Sequence, residues 1–347
     1  MIEYELTILL AAMKYDYGII NRGLALDYYY FEEPLKKMGF NVITFDYMSI
    51  FQEKGKVQMN QDLSDLISSK KPDLVIVVPF TDQFIPETME KIKKSVNSVV
   101  YFFDDVWRIE YSKFWSTHFT YATTSDVNGV NKWSKLGYNN FIYSPFGVNH
   151  NLYVKKDIKK QYDVSFVGGY HPHRDWIIKR LKRAGINVIT FGYGWPNGKL
   201  EFDEVVNIFN ESKINLNLSN NESYDLKYIL PFYNNFNDSL KVIKRTLINV
   251  FKKDSKTKEM VKARHFEINA CGGFQLTFNV EGLETHYAIG EEIVTFGDVD
   301  DLIDKIIYYL KNDHERETIA YNGYLRTLKY HTMEKRLNDL INAALKK

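Results

Sequence analysis

Short apolar runs of strand length alternate with segments of helical period along most of this chain, and the alternation breaks off and restarts once. That order specifies parallel sheets covered by helices, laid down in two successive α/β units. The first series opens with the apolar run 6–13, a polar, glycine-bearing loop over 14–23, a helix over 24–38 stopped by Gly39, and a strand over 41–45. Such a strand–helix–strand unit places its first loop at the carboxyl end of the sheet, where ligands of open α/β domains bind. A helix over 62–69, strand 73–78, helix 86–94, strand 98–103, helix 109–117, strand 119–124, a helix ending at 136 and strand 141–143 continue the series. Ser144-Pro-Phe-Gly-Val-Asn149 then reads as a hinge. The pattern resumes with strand 162–167, helix 175–183, strand 187–191, helix 202–210 and strand 214–218. A polar, lysine-rich segment departs from it over 219–260, after which a short helix, a glycine stop and strand 274–278 return to it. Amphipathic helices over 299–310, 313–329 and 333–345 end the pattern.

A chain of 347 residues exceeds what one hydrophobic core usually holds, which supports the two-unit reading. The formal net charge is +1, so no overall field favours nucleic acid or an anionic membrane. The one cysteine, Cys271, excludes an internal disulfide framework and a cysteine-cluster metal site. The opening residues Met1-Ile-Glu-Tyr-Glu-Leu6 lack the basic region of a signal peptide and no apolar run reaches membrane-spanning length, so a cytoplasmic location is expected.

Four places concentrate groups suited to ligand chemistry. Lys262, Arg264 and Glu267 stand within six residues of one another at the start of the short helix, with Arg264 and Glu267 neighbours at i, i+3. Cations neutralise oxyanions and a carboxylate accepts from a vicinal diol, which together suit a nucleotide sugar; the alternative is a surface ion pair. Gly168-Gly169 after strand 162–167, with Arg174 opening the next helix, supplies backbone amides and a charge for the same pyrophosphate. Tyr193 and Trp195, in the loop 192–198, either stack on a base or plug a turn. Asp104 and Asp105 follow a strand of the first unit, where one carboxylate would meet an acceptor hydroxyl and the other cap a helix. Gly18 and Arg22, in the first loop, face the ligand end of the sheet or merely connect elements. His171 and His173 have no evident carboxylate partner, so no metal is assigned.

The run Arg264-x-Phe-Glu-Ile-x-Ala-x-Gly-Gly273, then Gly290-Glu-Glu-Ile-Val-Thr-Phe296, Asp301-Leu302, Arg316, Gly323, Arg326 and His331-Thr332, resembles the CgeB/YkvP-like glycosyltransferases over about 160–345. That resemblance implies a group-1-type GT-B fold with two Rossmann-like domains facing each other across a cleft. The boundaries expected are 1–148 for the acceptor domain, joined by the last helix, 332–347, and 149–331 for the donor domain, with the insertion 219–260. It implies transfer from a nucleotide-sugar co-substrate to an unidentified acceptor, protein, glycan or small molecule, without a metal or other cofactor, and with retention of configuration. Lys262, Arg264 and Arg174 would hold the departing phosphate, Glu267 the ribose, and Gly272 and Gly273 the donor, while Asp104 or Asp105 serves as base; the loop after strand 274–278, by its position, brings Glu281 or Glu284 to the sugar hydroxyls. Related retaining enzymes carry two glutamates of which Glu267 matches the second; Glu259 stands at the spacing of the first but in the lysine-rich end of the insertion. The alternatives are a non-catalytic nucleotide-binding or spore-coat-like structural protein on the same fold, and a GT-B nucleotide-sugar epimerase.

Overall fold

The computed structural model describes residues 6–219, 244 and 259–345. The chain divides into two compact units, one of residues 1–149 with 332–347 and one of residues 150–331. Each is built on its own wholly parallel sheet.

In the first unit six strands lie in the order β2-β1-β3-β4-β5-β6: β1 (Thr7–Ala12), β2 (Asn41–Asp46), β3 (Leu74–Val77), β4 (Asn97–Val100), β5 (Tyr121–Thr124) and β6 (Phe141–Tyr143). β1 and β3 are apolar at nearly every position because helices cover both faces, leaving no solvent side for polar residues. The helices are α1 (Glu33–Lys37), preceded by a π-helical turn over Tyr28–Glu32, then α2 (Tyr47–Lys70), α3 (Pro86–Ser95), α4 (Ile109–Thr117) and α5 (Gly129–Lys135). Leu9, Phe45, Val75, Trp115 and Trp133 belong to its core, with Trp133 stacked on Phe141 at 4.4 Å. The final helix, α11 (Met333–Leu345), buries Leu337, Leu340 and Ile341 in this unit and packs on β3, β4 and β6. Thr332 pairs with Val148, and Arg336 Nε donates to the Phe146 carbonyl at 3.2 Å.

The second sheet runs β11-β10-β9-β7-β8: β7 (Tyr162–Val167), β8 (Val188–Phe191), β9 (Ser212–Asn217), β10 (Gln275–Phe278) and β11 (Val294–Phe296). Its helices are α6 (Pro172–Arg183), α7 (Phe202–Glu211), α8 (Arg264–Ala270), α9 (Val299–Lys311) and α10 (Asp313–Tyr330). Local chemistry sets their starts: Pro172 in the first turn of α6, a reciprocal Glu201–Glu204 capping box on α7, and Asp298 accepting from the amides of Asp300 and Asp301 at 2.9 Å on α9.

The sequence pattern predicts only residues 62–69 of α2. Gly55, at φ 81°, breaks the helix, and the earlier half lacks a clear apolar stripe. The missed start carries its own signal: Asp46 accepts from the Ser49 amide at 3.5 Å, as a capping residue does, and also from the Ser49 hydroxyl at 2.6 Å. β11 also went unassigned, being only three residues long. The expected insertion 219–260 lies, apart from Ser219, Lys244, Glu259 and Met260, outside the described residues. No helix among the described residues is long and apolar enough to cross a membrane.

Candidate donor site

In the second unit β7 is flanked by β8 on one side and β9 on the other, so the chain reverses its direction of travel across the sheet between β7 and β9. Loops leaving two strands at such a point diverge and open a crevice at their carboxyl ends. A cavity of about 170 Å³ occupies that place, lined by Gly168, Gly169, Arg174, Glu259, Lys262 and Arg264 among others. Among the described residues, three cations from two separate segments therefore share one cavity with the Glu259 carboxyl.

Arg174 is held by backbone oxygen atoms. Its Nε donates to the carbonyls of Leu218 and Ser219 at 3.0 and 2.9 Å, Nη1 to Gly169 at 2.7 Å and Nη2 to Leu218 at 2.6 Å. The guanidinium thus ties the loop after β7 to the loop after β9. Each Nη carries a second N–H beyond these bonds. Burial, helped by the nearby Arg264 charge, pulls the Arg174 pKa down to about 10, which still leaves it charged at neutral pH. Phe166 lies under the guanidinium at 5.1 Å.

Arg264 opens α8 and forms an ion pair with Glu267 at 2.9 Å, one turn on. It also lies over the Phe209 ring at 4.9 Å. Glu267 is 4% exposed and bonded by the buried Tyr153 hydroxyl. Glu267, expected to face a ribose, is not among the described residues lining the cavity, and its carboxylate pairs with the Arg264 guanidinium. Neither Gly272 nor Gly273 lines the cavity, since they follow the far end of α8. A Cβ on Gly272 would press on Lys155, and one on Gly273 on Asn215 and Ile268.

His265, which the sequence argument passed over, lines the same cavity. Its Nδ1 lies 3.0 Å from the Lys262 amide and 3.1 Å from the Lys262 carbonyl, and its Nε2 lies 3.1 Å from Thr277 Oγ1. Burial holds its pKa down at about 4, with the Lys262 charge acting in the same direction. A neutral ring thereby anchors the Lys262 backbone to β10. Glu259 is the second addition. Burial raises its pKa, while Lys262 and Arg174 oppose that rise. Its spacing was legible, but its place in the lysine-rich segment counted against it.

Trp195 is the aromatic plug of the two alternatives. It is 8% exposed, donates from Nε1 to the Gly168 carbonyl at 2.9 Å, and meets Tyr170 edge to face at 5.3 Å. The loop can lie this close because Gly192, at φ 130°, has no Cβ; one there would come within 2.2 Å of the Gly168 carbonyl oxygen. Tyr193 is 85% exposed and stands away from the cavity, as does exposed Glu281.

In the first unit the two aspartates part company. Asp105 is 1% exposed and accepts from Thr124 Oγ1 at 2.6 Å, Trp133 Nε1 at 3.2 Å and both the amide and hydroxyl of Ser125. It clamps the end of β5 to α5, and neither it nor Asp104 caps α4, whose capping position is Arg108. Asp105 as a base is therefore corrected. Asp104 does line a cavity, and accepts from Trp107 Nε1 at 3.1 Å. Gly18 packs against Met48 and Gln52 of α2, and Arg22 lies over Tyr17 at 5.4 Å; neither lines that cavity.

Residues 174–342 match the model of a glycosyl transferase-like family. The spore protein CgeB of Bacillus subtilis (strain 168) is 24% identical over 219 residues, 61% of this chain. The matched stretch spans 63% of that relative, less than two thirds of its length. Among solved structures, sucrose-phosphate synthase from Thermosynechococcus elongatus aligns with a TM-score of 0.65 at 10% identity, over 99% of this chain and 100% of that one. Anabaena HepE, in complex with UDP-glucose, aligns at 0.60 with 11% identity over 99% and 100%. A glycosyltransferase from Rickettsia africae aligns at 0.61 with 11% identity over 99% and 98%. These likenesses show the GT-B fold.

Proposed function

We propose that this chain, whose sequence matches support a CgeB-like glycosyltransferase family, moves a sugar from a nucleotide-sugar donor to a hydroxylated acceptor. The observation that carries this is the convergence of Arg174, Lys262 and Arg264 on one cavity at the carboxyl ends of β7, β9 and β10. In the reaction the acceptor oxygen bonds to the anomeric carbon while the bond from that carbon to the phosphate oxygen breaks. Negative charge then gathers on the departing diphosphate. Fixed cations are most valuable there, because charge develops after binding and the groups are already in position. Arg174 is pre-oriented by four carbonyl contacts and Arg264 by Glu267, so little reorganisation accompanies the step.

Within this proposal Glu259 faces the donor sugar hydroxyls and Glu267 is a positioning residue for Arg264. The three side-chain cations supply the charge that a divalent ion supplies elsewhere, so dialysis against a chelator leaves the rate unchanged. The group-1 resemblance supports retention of configuration. HepE was solved with UDP-glucose, which makes a UDP-hexose the first donor to try.

The test is a mass-spectrometric screen of the purified chain against UDP-, GDP-, ADP- and dTDP-sugars, beside a Lys262→Ala/Arg264→Ala double variant. Slow release of free nucleotide from one donor by the wild type alone is the expected result. Binding without release, and without transfer to any of a panel of hydroxylated acceptors, would favour the non-catalytic alternative. A changed sugar on an intact nucleotide would favour the epimerase. Neither binding nor release would sink the donor assignment.

A further inference from the structure

The first unit repeats the arrangement of the second. β1 has β2 on one side and β3 on the other, and a cavity of about 120 Å³ opens at the carboxyl ends of β1, β3 and β4. Its chemistry differs. The walls are largely apolar and aromatic, including Val78, Phe80 and Phe102, and four functional groups converge on them: Asp27, Asp104, Arg108 and Ser112.

Two of these are buried polar groups whose bonding within the fold is incomplete. Asp27 is 3% exposed and accepts from the Met13 amide at 3.1 Å through one of its two carboxyl oxygens. Ser112 is fully buried, and its hydroxyl has no hydrogen-bond partner among the described residues. A buried hydroxyl left unbonded costs about 1–3 kcal/mol, so its retention on a cavity wall points to a partner that arrives from outside.

The charges select the ligand. Arg108 is already engaged, with Nη1 donating to the Phe80 carbonyl at 3.0 Å and its guanidinium 3.8 Å from the Tyr111 ring centroid. It would repel a second cation brought into the cavity. Asp104 and Asp27 disfavour an anion, and no cation cluster like that of the second unit is present to offset them. What remains compatible is a neutral, hydroxyl-rich molecule whose C–H face packs on the aromatic wall and whose hydroxyls bond the carboxyls and the serine. The cavity is small enough to take one edge of a sugar ring, with the remainder in solvent.

We propose that this cavity is a binding subsite for a neutral sugar, with Asp27 and Ser112 reading its hydroxyls and Asp104 at its rim. This deepens the transferase proposal, on which it rests for calling the sugar an acceptor. Asp27 suits the task because burial raises its carboxyl pKa to about 7, leaving it able both to donate and to accept near neutral pH. The charged and titratable groups facing it are Asp46 and Tyr47 at the start of α2, and Asp104, Arg108 and Tyr111 across the cavity.

Saturation-transfer NMR on the full chain tests the subsite, with glucose, galactose, mannose and N-acetylglucosamine as neutral probes and glucose 6-phosphate and glucosamine as charged ones. At least one neutral sugar should receive saturation, and the charged analogues should receive less. Ser112→Ala should weaken that sugar's Kd five-fold or more while leaving the melting temperature equal to or above that of the wild type. A merely structural serine would not combine those results. Asp27→Asn, which keeps the shape, should weaken the same sugar and change the pH dependence of its binding near neutral pH. Absence of saturation with every neutral sugar, a preference for a charged analogue, or binding unaffected by both substitutions would overturn the proposal. Nucleotide-sugar affinity, measured by calorimetry on the wild type, reports on the donor proposal alone, so the two can fail separately.

Discussion

The two units share a plan and differ in what they place at its functional point. Each has a parallel sheet with a reversal of strand order, after β1 in one and after β7 in the other, and each opens a cavity at the carboxyl ends of the strands there. The second unit fills that place with Arg174, Lys262 and Arg264, and the first with two carboxyls, a serine and aromatic rings. Topology therefore fixes where a ligand can bind, and the loop residues fix which chemistry is accepted there. One lesson concerns titratable groups: Asp27 at one cavity and His265 at the other are both driven toward the neutral form by burial, which raises Asp27 and lowers His265.

The largest effect expected is on stability against pH, with opposite signs in the two units. Asp27 has its folded pKa raised to about 7 from 3.8. Its favourable contribution is present below the unfolded value and is lost as pH rises through the folded one. The stability of wild type relative to Asp27→Asn should fall by on the order of 4 kcal/mol from acid to neutral pH in urea unfolding. His265 has its folded pKa lowered to about 4 from 6.5, so its contribution is present above the unfolded value and is lost as pH falls. The stability of wild type relative to His265→Gln should fall by on the order of 3 kcal/mol over the same interval traversed downwards. Slopes of the same sign in both pairs would break the comparison.

Next in size is the donor cavity. Lys262→Ala or Arg264→Ala should lower the rate of nucleotide release by about 100-fold, the scale seen when one pre-organised charge-stabilising group is removed. Sugar binding in the first unit should be unchanged in the same variants. Removing the Asp105 clamp comes third. Asp105→Ala strands the donors of Thr124, Ser125 and Trp133 in a buried setting and should cost roughly 2–3 kcal/mol by thermal or urea melting. Asp104→Asn should be the mildest for the fold, within about 0.5 kcal/mol, because that side chain is only partly buried; its effect should appear instead in sugar affinity. The adjacent aspartates thus offer a sharp comparison, one acting on stability and the other on binding.

Several features were legible before any coordinates. The strands 141–143 and 162–167 and the helices 109–117 and 333–345 fall on the elements formed, because apolar side chains recur at strand spacing in the first two and at helical spacing in the last two. Gly168, Gly169, Arg174, Lys262 and Arg264 were also picked out, and the fold gathers them at one cavity across about ninety residues of sequence. What the sequence left open has definite causes. Arg264 lines the cavity while pairing with Glu267, a division of roles that the i, i+3 spacing alone does not reveal. Trp195 lies close to the Gly168 loop because Gly192 permits it, which no count of aromatics reveals. Asp27 and Ser112 sit far apart in sequence and belong to no motif, so only the fold shows them lining one cavity.

The sequence by itself determined the α/β class, the two series of elements and the residue types able to meet a phosphate, since periodicity and side-chain chemistry are local properties of a chain. The tertiary structure decided which of those residues share a cavity and which are spent on their neighbours. It also decided that the two cavities differ in charge. Those outcomes depend on distance and burial, and a carboxylate or guanidinium has its role set by whether a partner or solvent stands within about 3 Å of it.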